Sequence, residues 1–106
     1  MSVAWLLFAS HAAAQKPGSA RAPSKISTLY RARCQPCHGP GGKAASKPLS
    51  FVDGEWKHGS GTNDVIRIIT DGVRGTAMKP FKRTLTTDQI AELARLVRSF
   101  DKTLTP

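Results

Sequence analysis

Residues 34–38 read Cys34-Gln35-Pro36-Cys37-His38, and they contain the only two cysteines of the chain. Two thiols this close together lie on one tight turn, so they cannot link distant parts of a fold. The imidazole of His38 follows the second thiol directly. The spacing therefore indicates chemistry at this turn, carried by two sulfur atoms and a neighbouring ring nitrogen.

The pattern Cys-x-x-Cys-His is the attachment motif of a covalently bound haem of the c type. The thiols of Cys34 and Cys37 would form thioether bonds to the two vinyl groups of one haem. His38 would then be held beneath the iron as its proximal ligand. The sequence thus predicts one covalent haem c, with its iron, as the cofactor.

Two other kinds of site use similar residues. A thioredoxin-like redox pair has the same cysteine spacing, but it belongs to a βαβ unit, which the helix-and-loop pattern of this chain does not indicate. A zinc site needs four ligands, so the two cysteines and His38 would have to recruit the distant His58. Haem attachment is the interpretation that the rest of the sequence favours.

Met78 is the expected second axial ligand of the iron. It lies in Gly75-Thr76-Ala77-Met78-Lys79-Pro80-Phe81, between two helical patterns. A thioether sulfur suits haem iron, and a His/Met pair raises the reduction potential relative to a His/His pair. The alternatives are that Met78 fills a gap in the core, or that His58, in a polar turn, binds the iron instead.

The hydrophobic spacing predicts an all-α fold of three to four short helices joined by long loops. The last helix opens with a capping box, in which Thr86 and Gln89 exchange hydrogen bonds. The second helix is expected to end in a left-handed cap at Gly72. The predicted helices run from Ser24 to about Pro36, from Thr62 or Asn63 to Gly72, and from Thr86 to Phe100. Their inward residues are predicted to be Val65, Ile66, Ile68 and Ile69 in the second, and Ile90, Leu93, Ala94, Val97 and Phe100 in the third.

Residues 38–61 are predicted to form a loop, because they are crowded with Gly, Pro and Ser and show no regular apolar spacing. A loop of that length argues against a compact domain unless something fills the interior. A domain of about 80 residues with three short helices is also marginally stable by itself. A large buried cofactor resolves both difficulties, because its apolar faces give helices and loops a surface to cover.

The 106-residue chain has room for one domain. Its apolar start, followed by three alanines, predicts a secretory signal peptide over residues 1–14, although the usual early Lys or Arg is missing. Residues 15–23 are predicted to be a flexible leader and residues 24–106 the haem domain. An export signal implies a periplasmic location, in a Gram-negative bacterium. The alternative is that residues 1–14 form an ordinary short helix.

The chain carries 16 Lys and Arg against 7 Asp and Glu, a formal net charge of +9. Such an excess favours anionic partners, although it also serves solubility. Nucleic acid is disfavoured, because the charges are scattered and only 7% of residues are aromatic. The expected partners are redox proteins with acidic docking patches. The basic residues expected to face them are Lys43, Lys47, Lys57, Lys79, Lys82 and Arg83.

Over about residues 24–103 the chain resembles the class I monohaem cytochromes c. The resemblance rests on the Cys-x-x-Cys-His motif, Leu29-Tyr30 before it, Gly39 after it, the loop around Met78 and the closing helix. Residues 53–59 resemble the loop of bacterial members associated with respiratory oxidases and periplasmic dehydrogenases. The chain departs from relatives in having Lys79 where a Pro is common, and in a shorter segment after the motif.

The resemblance implies a cytochrome c fold around one covalent haem, in an electron-transfer protein and not an enzyme. A proline carbonyl, from Pro48 or Pro40, would orient His38. Trp56 or Arg74 would reach a haem propionate, although Trp56 could equally be ordinary core.

The function implied is a periplasmic single-electron carrier between a respiratory or dehydrogenase donor and an oxidase-type acceptor. No small-molecule substrate is expected. Membrane contact is expected only through partner complexes or through an uncleaved signal. The alternatives are a haem c subunit of a dehydrogenase or oxidase complex, and a haem-based sensor or peroxidase with a labile sixth ligand.

Overall fold

The computed structural model describes residues 25–53 and 55–106. The predicted signal peptide, the leader and the expected N-cap Ser24 lie outside these ranges. The described residues form helices and loops and contain no strand, so the predicted all-α fold is confirmed. The α-helices are α1 (Lys25–Arg33), α2 (Gln35–His38), α3 (Thr62–Asp71) and α4 (Thr87–Ser99), and 3-10 turns cover Pro40–Gly42 and Lys47–Leu49. None of the described helices is both long and apolar enough to cross a membrane.

Helical structure continues past Pro36, so the prediction that it stops near this residue is wrong. After α1 ends, the chain turns at Cys34 and restarts as α2, which carries Pro36 in its first turn. A proline is tolerated there because the N–H it lacks would have no acceptor within the helix. The His38 N–H donates to the Cys34 carbonyl at 2.9 Å. Both cysteines and the histidine therefore share one short helical segment.

Helix α4 begins at the predicted capping box. The Thr86 N–H donates to Gln89 Oε1 at 2.9 Å, and the Gln89 N–H donates to Thr86 Oγ1 at 3.0 Å. In α3, two of the four side chains predicted to face inward are buried, and Ile66 and Ile68 are half-buried. Phe100 is also half-buried and follows the end of α4. The buried helix residues are Tyr30, Val65, Ile69, Ile90, Leu93, Ala94 and Val97, with Phe81 and Leu85 added from the α3–α4 connection.

The end of α3 differs from the prediction in one backbone angle. Gly72 follows the helix as expected and has a φ of 71°, but its ψ is −172°. This conformation is open almost only to glycine, and it is extended, unlike the left-handed helical region. The chain leaves α3 in this extended direction because the next N–H, that of Val73, donates to the Met78 carbonyl at 3.0 Å.

The first and last helices meet beside the turn that follows His38. Phe100 packs edge-on against Tyr30 of α1, with ring centroids 5.1 Å apart. The buried Tyr30 hydroxyl donates to the Gly39 carbonyl at 2.7 Å, and burial raises the pKa of Tyr30 to about 12. A Cβ added to Gly42 would lie 2.6 Å from Phe100 Cδ2. The end of α4 therefore lies directly against residues 39–42.

This close approach predicts that replacing two neighbouring glycines by alanine will have very different effects on stability. Gly42→Ala should lower the free energy of unfolding by about 2–4 kcal/mol, because it adds a clash with Phe100 to the strain of a positive φ. Gly41→Ala is the matched control, since Gly41 also has a positive φ but nothing within 4 Å of an added Cβ. Denaturant unfolding of the haem-loaded variants measures both losses. Equal losses would contradict the packing described here.

Candidate haem-binding site

The two cysteines differ in exposure, and they do not form a disulfide. Cys37 is exposed, whereas Cys34 is half-buried and packs against the hydrophobic core. Burial, before any other cause, raises the pKa of the Cys34 thiol to about 11. Cys34 is therefore a neutral thiol at neutral pH. Formation of a thioether adds such an S–H across the vinyl double bond of a haem.

The imidazole of His38 is held by a main-chain carbonyl. Its Nδ1 lies 2.8 Å from the carbonyl oxygen of Leu49. A carbonyl oxygen can only accept a hydrogen bond, so Nδ1 must carry the proton. In the neutral ring the Nε2 lone pair is then free to bind a metal. The prediction that Pro48 or Pro40 supplies this carbonyl is wrong, because the 3-10 turn ending at Leu49 presents the residue after Pro48.

Two aromatic rings extend from the His38 imidazole. Phe51 stacks on it, with centroids 4.4 Å apart and an angle of 21° between the ring planes. Trp56 stacks on Phe51, at 5.5 Å and 15°. A stacked ring covers the face of the imidazole, whereas the Nε2 lone pair points outward in the ring plane. The stack is therefore compatible with iron coordination by His38.

The indole N–H of Trp56 has a partner within the chain. It donates to Asp101 Oδ2 at 2.8 Å, although the two residues are 45 positions apart. The prediction that Trp56 reaches a haem propionate disagrees with this contact, because the one hydrogen-bond donor of the indole is already bound to Asp101. The alternative, that Trp56 belongs to the core, agrees with its half-buried ring, which packs against the core.

Met78 lies in a loop held by hydrogen bonds on both sides. Before it, Thr76 Oγ1 donates to the Val73 carbonyl at 2.7 Å and accepts from the Met78 N–H at 3.1 Å. After it, the Phe81 N–H donates to the carbonyl of Ile69 in α3 at 3.0 Å. The side chain is half-buried and packs against the same core as Cys34. Its position therefore suits an axial ligand, and the role remains a prediction.

The other predicted site residues have exposed side chains. Arg74 is exposed on the loop before Met78, where it stays the predicted partner of a propionate. Pro48 is exposed, one residue before the carbonyl that binds His38. His58, the rival axial ligand, is also exposed. None of these three makes a hydrogen bond or a ring contact with the His38 imidazole within the described residues.

Sequence reasoning missed three groups around the imidazole and the indole. Phe51 could have been identified from the sequence, because an aromatic residue in a Gly- and Ser-rich loop has no helix of its own on which to pack. The Leu49 carbonyl is a main-chain group, so no side-chain pattern points to it. Asp101 follows the last helix and could not be matched to Trp56 by any local spacing.

The residues present fit haem c. Two thiols lie on one helical turn, an imidazole has its Nε2 free, and a half-buried thioether in the loop after α3 packs against the same core as Cys34. The loop that holds His38 also carries Leu49 and Val52, which are 39% and 38% exposed. They are the large apolar side chains exposed within the described ranges, and a flat apolar group placed against this loop would cover such side chains.

The alternative sites find less support. Residues 25–53 and 55–106 contain no strand, so they lack the βαβ surrounding of a thioredoxin-like pair. Across the same residues, no three or more His, Cys, Asp or Glu side chains converge as a metal site of these ligands would require. The distant His58 therefore does not join Cys34, Cys37 and His38.

A comparison with protein families agrees with this arrangement. Residues 21–97 match the family model described as cytochrome c oxidase, cbb3-type, subunit III. No curated protein and no solved structure matches the chain significantly. The family match covers most of the chain and includes the cysteine motif, the predicted axial methionine and most of α4. The chain therefore belongs to the family of cbb3-type cytochrome c oxidase subunit III, and it is a monohaem c-type cytochrome that binds haem c covalently and transfers electrons without being an enzyme.

Proposed function

We propose that the protein is a periplasmic carrier that takes single electrons from a respiratory or dehydrogenase donor and delivers them to an oxidase-type acceptor. When bound, haem c supplies a reversible one-electron iron couple. The single observation that carries the proposal is the hydrogen-bonded loop around Met78, together with the fixed imidazole of His38. Two ligands held by the fold would leave the iron no position for a substrate and would change little between oxidation states.

The chain's own residues have three tasks in this function. Cys34 and Cys37 would attach the haem, and the Leu49 carbonyl holds His38 through Nδ1, which leaves Nε2 free to bind the iron. The thioether of Met78 would complete the ligand set. Apolar side chains such as Phe51 and Ile66 pack against the core and would help to exclude water from a bound haem. An apolar surrounding disfavours the additional positive charge of ferric haem, so we expect a positive reduction potential.

Exposed basic residues in the loops would steer the protein to acidic partners. Two of the six loop residues predicted above to face a partner make weak surface ion pairs: Lys47 with Glu55 at 3.9 Å and Lys82 with Asp71 at 3.8 Å. The other four make no ion pair with residues that the structure describes. Exposed ion pairs contribute little to stability. The positive field of this surface therefore remains available to an anionic partner. All six are exposed: Lys43, Lys47, Lys57, Lys79, Lys82 and Arg83.

The charge of the electron-transfer surface can be measured without knowing the partner. Oxidation of the reduced protein by anionic ferricyanide should slow at least about threefold as ionic strength rises from low to high. Oxidation by a cationic cobalt complex should become faster. The variant with Lys79→Glu and Arg83→Glu should reduce the salt dependence with ferricyanide more than Lys25→Glu, an exposed lysine at the start of α1. Rates independent of salt and of these charges would contradict the proposal.

A second candidate is a haem c subunit of a respiratory oxidase. The observation that favours it is the description of the matching family, which names subunit III of a cbb3-type cytochrome c oxidase. A free carrier should be recovered haem-loaded from the periplasmic fraction, apart from other proteins. Recovery in the membrane fraction, together with an oxidase, would favour the subunit instead.

A further inference from the structure

Asp101 is the most buried charged residue within the described ranges, at 1% exposure. Its carboxylate accepts three hydrogen bonds: from Trp56 Nε1 at 2.8 Å, from the Thr103 N–H at 2.9 Å and from Thr103 Oγ1 at 2.7 Å. All three partners donate to the carboxylate, and none requires it to be protonated. The bond from Trp56, followed by those from Thr103, lowers the pKa of Asp101 from its usual value. It is therefore ionised at neutral pH.

The charge of Asp101 is not balanced by an ion pair. No Lys, Arg or His nitrogen of the described residues lies within 4.0 Å of its carboxylate, since the ion pairs there involve other acidic residues. Lys102, the next residue, is exposed, and Arg98, three residues before Asp101, directs its Nε to the Ser60 carbonyl at 2.6 Å. A buried charge without a counter-ion acts on its surroundings more strongly than a solvated one, because water screens it less.

A chain of side-chain contacts connects the Asp101 carboxylate to His38, the predicted axial ligand. The carboxylate binds the indole of Trp56, the indole stacks on Phe51, and Phe51 stacks on His38. Three successive contacts thus connect the end of α4 to the imidazole.

We propose that Asp101 is a positioning residue of the haem site: it holds Trp56 and Phe51 against His38, and its negative charge lowers the reduction potential of the haem. A negative charge in the surroundings of the axial ligand favours the ferric state, which carries one more positive charge than the ferrous state. This inference concerns the haem environment and does not depend on the partner or location proposed above. A failed salt or fractionation experiment would therefore leave it intact, and its own failure would leave the carrier function intact.

The potential of the haem-loaded Asp101→Asn variant tests the charge. Asparagine keeps the size and one acceptor oxygen but removes the charge. At a fixed ambient potential, we expect the ratio of reduced to oxidised protein to rise up to about tenfold, equal to ~59 mV for a one-electron couple. Glu92→Gln is the matched control, because it removes an exposed negative charge from α4. Its ratio should change less than about twofold, because solvent and salt screen an exposed charge.

Trp56→Phe tests the connection through the indole, and it applies even if Asp101→Asn fails to load haem. Phenylalanine keeps an aromatic ring but donates no hydrogen bond, so the carboxylate can turn toward solvent. We expect the potential to rise, by less than in Asp101→Asn, and the double variant to be no higher than Asp101→Asn alone. Asp101→Glu should restore a potential close to that of the unmodified protein.

Direct observation of the indole gives a readout apart from the potential. The indole N–H signal of Trp56 in the proton NMR spectrum should move in Asp101→Asn and stay in place in Glu92→Gln. The proposal is overturned if Asp101→Asn and Glu92→Gln change the potential equally. It is also overturned if Trp56→Phe leaves the potential unchanged.

Discussion

The double variant Cys34→Ser, Cys37→Ser should lose both its covalent haem and its cooperatively folded domain. The described core contains nine buried apolar residues, and the described residues between α2 and α3 form two single-turn 3-10 helices and otherwise loop. A domain of this size and loop content needs an additional group in its interior. Because binding of the haem is coupled to folding, removal of its attachment should leave a largely unfolded chain.

The single variants provide the matched controls for this experiment. Cys37→Ser alters an exposed side chain, so it should keep the fold and retain haem through Cys34. Cys34→Ser alters a half-buried side chain packed against the core, so it should lose more stability. By circular dichroism and thermal unfolding, stability should decrease in the order unmodified protein, Cys37→Ser, Cys34→Ser and double variant. A double variant that melts cooperatively, at the same temperature as the unmodified protein, would show that the haem does not support the fold.

Met78→Ala should convert a six-coordinate, low-spin haem into one that binds external ligands such as carbon monoxide or imidazole. The thioether stabilises ferrous iron, so its loss should also lower the reduction potential. We expect a decrease on the order of 0.2 V, within the roughly 0.8 V range that axial ligands control. Visible absorption spectra with and without added ligand, and a redox titration, measure both effects.

His58→Ala is the control for the axial ligand, because His58 is exposed and was the rival candidate. It should leave the spectrum and the potential unchanged. Thr76→Val should give an intermediate result, because it removes the two hydrogen bonds that Thr76 Oγ1 makes in the loop before Met78. An unchanged spectrum in Met78→Ala, with a changed one in His58→Ala, would reverse the assignment. An unmodified protein that readily binds carbon monoxide would favour a sensor or peroxidase.

The features that the sequence predicted well have short-range causes. The Thr86 and Gln89 capping box joins residues three positions apart, so the start of α4 could be read from the local pattern. The start of α3 at Thr62 was predicted in the same way. The cysteine motif likewise lies within five residues. In each case one turn of helix brings together the groups that interact.

The features that the sequence did not predict depend on contacts that a linear pattern does not encode. The acceptor for His38 is neither of the two predicted prolines but the residue after Pro48, because the carbonyl that faces the ring depends on the 3-10 turn ending at Leu49. The partner of Trp56 lies 45 positions away. The ψ angle of Gly72 is set by the Val73–Met78 hydrogen bond, which forms only when the loop closes.

Covalent attachment of one haem through Cys34 and Cys37 can be tested on the unmodified protein. The chain should be expressed with the haem-ligation machinery, run on a denaturing gel stained for haem, and its intact mass recorded. We expect the stain to travel with the polypeptide and the mass to exceed that of the chain by one haem. A colourless polypeptide with the mass of the bare chain would contradict the account.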